Sequence, residues 1–199
     1  MSDTETLKVY AEAAGRYAAG FARTKDTDQE ADYSAFKALL PDGGRVLDLG
    51  CGPGHWTARL RGDGLLADGM DASPEMAAYA QSTYGIDVQV SDFHELSAMA
   101  GYDGIWANFS LLHAPKIEMP DHLEHVRQAL NPKGALSLGM KLGVGESRDS
   151  LNRFYAYYSE DELLALVEAA GFRVVKTRRG NGEGLAGQDE TFVVVTAHA

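Results

Sequence analysis

The chain has 199 residues, 45% hydrophobic and 24% charged, which is the balance of an ordinary globular protein with length enough to bury one sizeable core. Its formal net charge of −11 argues against a nucleic-acid partner, whose binding rests on Lys and Arg neutralising phosphates, and no apolar run reaches the roughly 18–20 residues of a membrane span. A single cysteine, Cys51, leaves no intrachain disulfide and no cysteine-cluster metal site, in keeping with a reducing cytoplasm.

In chain order, Leu7–Phe21 reads as an amphipathic helix and not as a secretory signal, since no basic region precedes an apolar core. A second helix follows over Asp28–Leu40. "RVLDLG", from Arg45, is the first strand; it runs into a glycine turn, and "HWTARLRG" continues as a helix. "LLADGMD" is the second strand, ending at Asp71. The next helix has Ser73 as its N-cap and Pro74 at the favoured first position. "DVQVSD" is a short third strand, and "YDGIWANFSLLH" begins as the fourth and leaves it near Asn108. "DHLEHVRQALNPKG" reads as a helix with a Gly/Pro stop, followed by the fifth strand, "ALSLGMK". Leu142 to Ser159 is expected as a loop. Ser159 and Glu162 then open a helix with capping-box spacing.

"FRVVKTRR" and "TFVVVTAH" close the chain as two strands, joined by a glycine-rich connection short enough for an antiparallel hairpin. The short basic run Lys176–Gly180 reads as the exposed end of an edge strand. With no repeat and no low-complexity linker, the whole reads as one domain. Strand and helix alternate, which predicts an α/β fold of about seven strands, mostly parallel and covered on both faces. In such sheets ligands gather beyond the carboxyl ends of the strands, at the switch point beside the first strand. Three acidic strand ends, Asp48, Asp71 and Asp92, are therefore expected to converge on one crevice.

The turn "VLDLGCGPGHW" shows what that crevice holds. A P-loop needs a Gly-Lys-Ser/Thr ending, which is missing, and the dinucleotide fingerprint needs a small residue where His55 stands. Pro53 has no N–H to offer a pyrophosphate, and Asp48 has the wrong sign beside one. S-adenosylmethionine (SAM) answers both objections: it lacks phosphate and carries an ammonium and a sulfonium, which a carboxylate favours. Glycines let the backbone approach its methionine part closely. Asp71, 19 residues after Gly52, is placed to accept from the ribose hydroxyls, and Asp92 from the adenine amino group.

These motifs resemble those of class I SAM-dependent methyltransferases. "VLDLGCGPG" resembles the family's first motif, "GMDASPEM" the second, "VSDFHEL" the third, "YDGIWANFSLLH" the fourth, and "LNPKGALSL" the segment entering strand five, over about residues 44–199. The resemblance implies a Rossmann-like, doubly wound seven-stranded sheet of order 3-2-1-4-5-7-6 with strand 7 antiparallel, and residues 1–43 as helices contributing to a lid. It also implies that Asp48 and the turn Gly50, Cys51, Gly52 and Gly54 surround the methionine part, with Cys51 a small packed residue and no nucleophile. Asp71 would bind the ribose, Ala72 and Met76 would line the adenine, Asp92 and Phe93 would bracket its edge, and a backbone carbonyl near Asn108 would receive the ammonium.

Methyl transfer requires alignment of an acceptor and exclusion of water, and a base only if the acceptor arrives protonated. Three segments are candidates for the acceptor side. Tyr10, Tyr17 and Phe21 form an aromatic stripe on the first helix, with Tyr10 and Tyr17 seven apart on one face. His113 follows strand four, as a base, a substrate donor, or a capping or core histidine. Arg153 and Tyr155 stand among Phe154, Tyr157 and Tyr158 in the loop, where Arg153 either binds an anionic acceptor or staples the loop. His122 and His125 share a helix face without a third ligand in sequence, so they read as solvated and no metal is expected. Base-methylating enzymes carry an Asn/Asp-Pro-Pro-Tyr/Phe motif where this chain has "ANFSLLH", which disfavours nucleic-acid bases. The expectation is a cytoplasmic SAM-dependent methyltransferase acting on a small molecule. The competing readings are a SAM-binding module without transfer and an NAD(P)-dependent oxidoreductase.

Overall fold

A computed structural model describes residues 3–21 and 27–199; the side chain of Phe21, the last of the aromatic stripe, lies outside the described residues. Two helices come first, α1 (Thr4–Phe21) and α2 (Thr27–Lys37). The alternating part follows as β1 (Arg45–Leu49), α3 (His55–Gly62), β2 (Leu66–Asp71), α4 (Pro74–Tyr84), β3 (Val88–Val90), β4 (Tyr102–Asn108), α5 (Met119–Ala129) and β5 (Leu130–Lys141). A two-stranded hairpin, β6 (Glu146–Arg148) and β7 (Phe154–Ala156), precedes α6 (Glu160–Ala169), and β8 (Arg173–Glu183) and β9 (Asp189–His198) end the chain.

The main sheet has the order β3-β2-β1-β4-β5-β9-β8. Neighbours from β3 to β5 pair in parallel, whereas β9 runs antiparallel to both β5 and β8. With the small hairpin set aside, this is the expected order, its last strand reversed. The caps read from sequence form as well: Ser73 accepts the Met76 amide at the start of α4, and Ser159 accepts the Glu162 amide at the start of α6.

Two expectations need correction. The segment 142–159 is more than a loop, because Glu146, Ser147 and Arg148 pair with Ala156, Tyr155 and Phe154. Three-residue strands are too short to show a period-2 pattern; the hairpin is held at its tip by Asp149, whose N–H donates to the Arg153 carbonyl at 3.0 Å. The fifth strand, expected from Ala135, begins at Leu130, which pairs with Tyr102, so the helix before it ends at Ala129, ahead of its Gly/Pro stop.

Both faces of the sheet are covered. On one, α5 and α6 pack Leu123, Val126, Leu163 and Val167 against Leu47, Ile105 and Leu136. On the other, α2 and α3 bring Tyr33, Phe36 and Trp56 around Trp106 of β4, with ring centroids 5.0–6.0 Å from it. No described helix is long and apolar enough to cross a membrane.

Candidate active site

The glycine turn is built by its own backbone and by Asp71. Gly50 and Cys51 both donate to the Met70 carbonyl, at 2.8 and 2.9 Å, which tethers the turn to the end of β2. Asp71 accepts the Gly52 N–H with one oxygen at 2.8 Å and the Ser73 N–H with the other at 2.9 Å. Gly50 and Gly54 have φ of +71° and +80°, and a Cβ on either would collide, with Ser110 Cβ at 2.3 Å and Ala80 Cβ at 2.8 Å. Only glycine satisfies both the left-handed backbone and the contact.

Asp48 is 3% exposed and accepts from Thr57 Oγ1 at 2.6 Å. Burial, with Asp71 adding its charge, pushes its carboxyl up to about 7 against the lowering effect of that bond. Burial likewise raises Asp71, against three backbone N–H bonds that lower it. Neither carboxylate has a Lys or Arg partner among the described residues. Two buried acids with no cation beside them among the described residues suit a cationic ligand. Burial, foremost, drives the Cys51 thiol far up, and it is inert as a nucleophile.

Two chambers open on this turn. The first is lined by Gly50, Gly52, Asp71, Ala72, Met76 and Phe93, so the expected cofactor residues at the end of β2 and in the segments that follow β2 and β3 come together. Two expectations shift. Asp92 does not line the chamber: its carboxylate accepts the His94 N–H at 2.9 Å and caps the short 3-10 helix Phe93–Ala98. Gly54 lines neither chamber and acts through its turn alone. The second chamber, about 380 Å³, lies towards β5, β8 and β9 and is walled by Trp56, Tyr155 and Phe192 with Lys141, Arg153 and Arg178. The chambers share Tyr10, Tyr17, Gly50, Gly52, Asn108 and Phe109.

Tyr10 and Tyr17 meet edge to face, 5.6 Å between centroids, so α1 roofs the junction. Tyr10 is held from two sides. His113 Nδ1 lies 2.7 Å from the Phe154 carbonyl, an obligate acceptor, so this nitrogen carries the proton. Nε2, 2.9 Å from the Tyr10 hydroxyl, then accepts from it, while Arg153 Nη1 donates to the same oxygen at 3.0 Å. Burial, above all, pushes His113 down to about 3, so the ring is neutral. Both its nitrogens are engaged, which makes it a core histidine that anchors Tyr10 and leaves neither nitrogen free to act as a base.

Arg153, 2% exposed, gives Nε and Nη2 to Asp149 Oδ2 at 2.9 and 2.6 Å; of its two readings the staple is the one the geometry takes. Thr6 accepts the Phe154 N–H at 2.8 Å and Arg148 pairs with Asp3 at 2.7 Å, so the β6–β7 hairpin clamps the start of α1.

Several site residues escape sequence reasoning. Lys141, at the end of β5, is 8% exposed, bonded to Glu190 at 2.5 Å and set 3.4 Å above the Tyr155 ring. A lysine ending an apolar strand was the available signal. Phe109 adopts φ +60° at the junction, a left-handed backbone that no local pattern announces. His122 is a correction: it is 1% exposed, not solvated, and lines the first chamber with His94 and Glu118. Burial, foremost, holds it below its ordinary value.

The family model described as "Methyltransferase domain" matches residues 22–177. An uncharacterized methyltransferase of Staphylococcus carnosus is 29% identical over 125 residues, covering 63% of this chain and 59% of its own. Trans-aconitate 2-methyltransferase of Escherichia coli is 39% identical over 102 residues, 48% of this chain and 38% of that one. The chain thus spans about three fifths of the first relative's length and under two fifths of the second's. Among solved structures, the 1,6-didemethyltoxoflavin-N1-methyltransferase of Burkholderia thailandensis, bound to 1,6-didemethyltoxoflavin and S-adenosylhomocysteine, is similar at TM-score 0.74 and 26% identity. That match covers 100% of this chain and 90% of the other.

Proposed function

The chain belongs to the methyltransferase-domain family of class I SAM-dependent enzymes, and on that premise we propose that it transfers the methyl group of SAM to a small molecule. The observation that carries this is the pair of chambers meeting at Gly50, Gly52 and Asn108, one walled by Asp71, Ala72, Met76 and Phe93, the other by Asp48 and the glycine turn together with the aromatic wall of Trp56, Tyr155 and Phe192. The residues fit the cofactor: the two buried acids have no Lys or Arg partner among the described residues, and Gly52 presents its open face to Tyr17 across the chamber. SAM would supply there a methyl carbon activated towards in-line displacement by its sulfonium.

In this reading Asp48, with the turn from Gly50, Cys51 and Gly52 to Gly54, faces the methionine part, and Asn108 stands where the ammonium is received. Asp71 takes the ribose, and Ala72, Met76 and Phe93 line the adenine. Tyr10 and Tyr17 close the roof and, with Tyr155, position the acceptor while excluding water. Residues 1–43 act as lid and 44–199 as core of one domain working in the cytoplasm, without a nucleic-acid partner.

No cation of the acceptor chamber among the described residues is left to hold an anionic acceptor, since Lys141, Arg153 and Arg178 are each bound to a carboxylate, of Glu190, Asp149 and Asp32, and Asp48 and Glu183 line the same chamber. Its aromatic wall therefore suits a flat, uncharged acceptor better than a polycarboxylate. The test combines calorimetry with labelled-methyl transfer to two panels, heteroaromatic metabolites and tricarboxylates. Binding of SAM with transfer to the first panel is expected. Transfer to tricarboxylates alone overturns the acceptor class, and binding of NAD(P) without SAM overturns the function.

A further inference from the structure

At the end of the first chamber that holds Phe93, three side chains converge from separate segments. His94 comes from the short helix after β3, Glu118 precedes α5, and His122 follows one helical turn later. Nε2 of His94 and Nε2 of His122 each lie 3.5 Å from the same oxygen, Glu118 Oε2. One ligand atom from each of the three falls within 4.8 Å of the others. At 3.5 Å the separations are longer than the roughly 2.7–2.9 Å of a charge-assisted hydrogen bond. They match instead the edge of a tetrahedron whose ligand bonds are about 2.0–2.1 Å, the lengths zinc makes to imidazole and carboxylate.

His122 is 1% exposed, and its Nδ1 has no hydrogen-bond partner among the described residues. Its ring lies 5.7 Å from that of Phe93 and 5.2 Å from that of His94, so packing fixes its orientation. A buried imidazole fixed in this way, beside a second imidazole and a carboxylate, is a donor set suited to borderline transition metals and not to Mg²⁺ or Ca²⁺, which take oxygen ligands.

We propose that His94, Glu118 and His122 form a binding site for one divalent transition-metal ion of the zinc class. All three residues line the chamber that Phe93, Ala72 and Met76 also line, so the remaining coordination position faces that chamber. Ion and chamber ligand then share a wall, and any effect of one on the other's affinity is reciprocal. The sequence pairs His122 with His125, whereas the fold replaces His125 with His94, 28 positions before His122.

The test is titration of the chelator-treated full chain with Zn²⁺ by calorimetry, with Co²⁺ visible absorption reporting coordination geometry. One ion per chain is expected, with a four-coordinate cobalt spectrum. His94→Ala and Glu118→Gln, both at partly exposed positions that leave the core intact, should each weaken binding by more than ~10-fold, since even an outer-shell partner is worth that much. His125→Ala and His198→Ala should bind as the unaltered chain does. Absence of a bound ion overturns the site, as does a loss below that size in both His94→Ala and Glu118→Gln.

Discussion

Asp48→Asn isolates the cost of keeping a carboxylate buried for a ligand yet to arrive. The folded carboxyl is raised from 3.8 to about 7, so the folded protein retains a proton that the unfolded chain has released. Stability from this group is therefore fully present below about pH 4 and is lost as pH rises through about 7. A shift of about 3 units at about 1.36 kcal/mol each amounts to about 4 kcal/mol forgone at pH 8. Asparagine keeps an acceptor for Thr57 Oγ1 but buries an amide donor, which costs about 1–3 kcal/mol if left unpaired. The ligand-free variant should be more stable than the unaltered protein by about 1–3 kcal/mol at pH 8. At roughly 2–4 °C per kcal/mol for a chain of this size, the midpoint rises by several degrees. Near pH 4 the gain disappears, because the folded carboxyl is protonated and the unfolded one about half so, which leaves a linkage gain of less than about 1 kcal/mol against the amide penalty. Thermal unfolding of both proteins from pH 4 to 8, without ligand, provides the measurement. A variant no more stable at pH 8, or one whose gain is independent of pH, would refute the reasoning.

Gly50→Ala must place a Cβ 2.3 Å from Ser110 Cβ at φ +71°, and overpacking with left-handed strain should lower stability by about 2–4 kcal/mol; Gly43→Ala, at φ +68° but with open space, should lose only the strain. Equal unfolding temperatures for the two variants would remove the Ser110 contact from the explanation. Tyr10→Phe leaves His113 Nε2 and Arg153 Nη1 without the hydroxyl they share, which should reduce kcat/KM by about tenfold or more through a looser roof. Unchanged kinetics with an acceptor from the heteroaromatic panel would show that the hydroxyl does not position α1.

The site was legible in the sequence where it is made by local chemistry. The turn from Gly50 to Gly54 follows a strand, Asp71 ends the next one, and the Ser73 and Ser159 caps stand where their helices begin. Asp92 shows the limit of that legibility: its spacing suits an adenine contact, yet its carboxylate is taken by the His94 amide, a contact that spacing does not reveal. The β6–β7 hairpin was equally hidden, because three residues a side carry no period and the clamp on α1 joins positions as distant as Asp3 and Arg148.

By itself, the sequence determined the alternation of strand and helix, the reversed final strand and the class of ligand, because hydrophobic period, turn glycines and charge sign act over a few residues. Tertiary structure decided which side chains share a space. It chose the core reading of His113 as an anchor, tied Arg153 to Asp149, buried Lys141 against Glu190 and exchanged His125 for His94 as the companion of His122. Those outcomes depend on packing between segments up to about 150 positions apart, where burial, not spacing, sets the partner and the charge state.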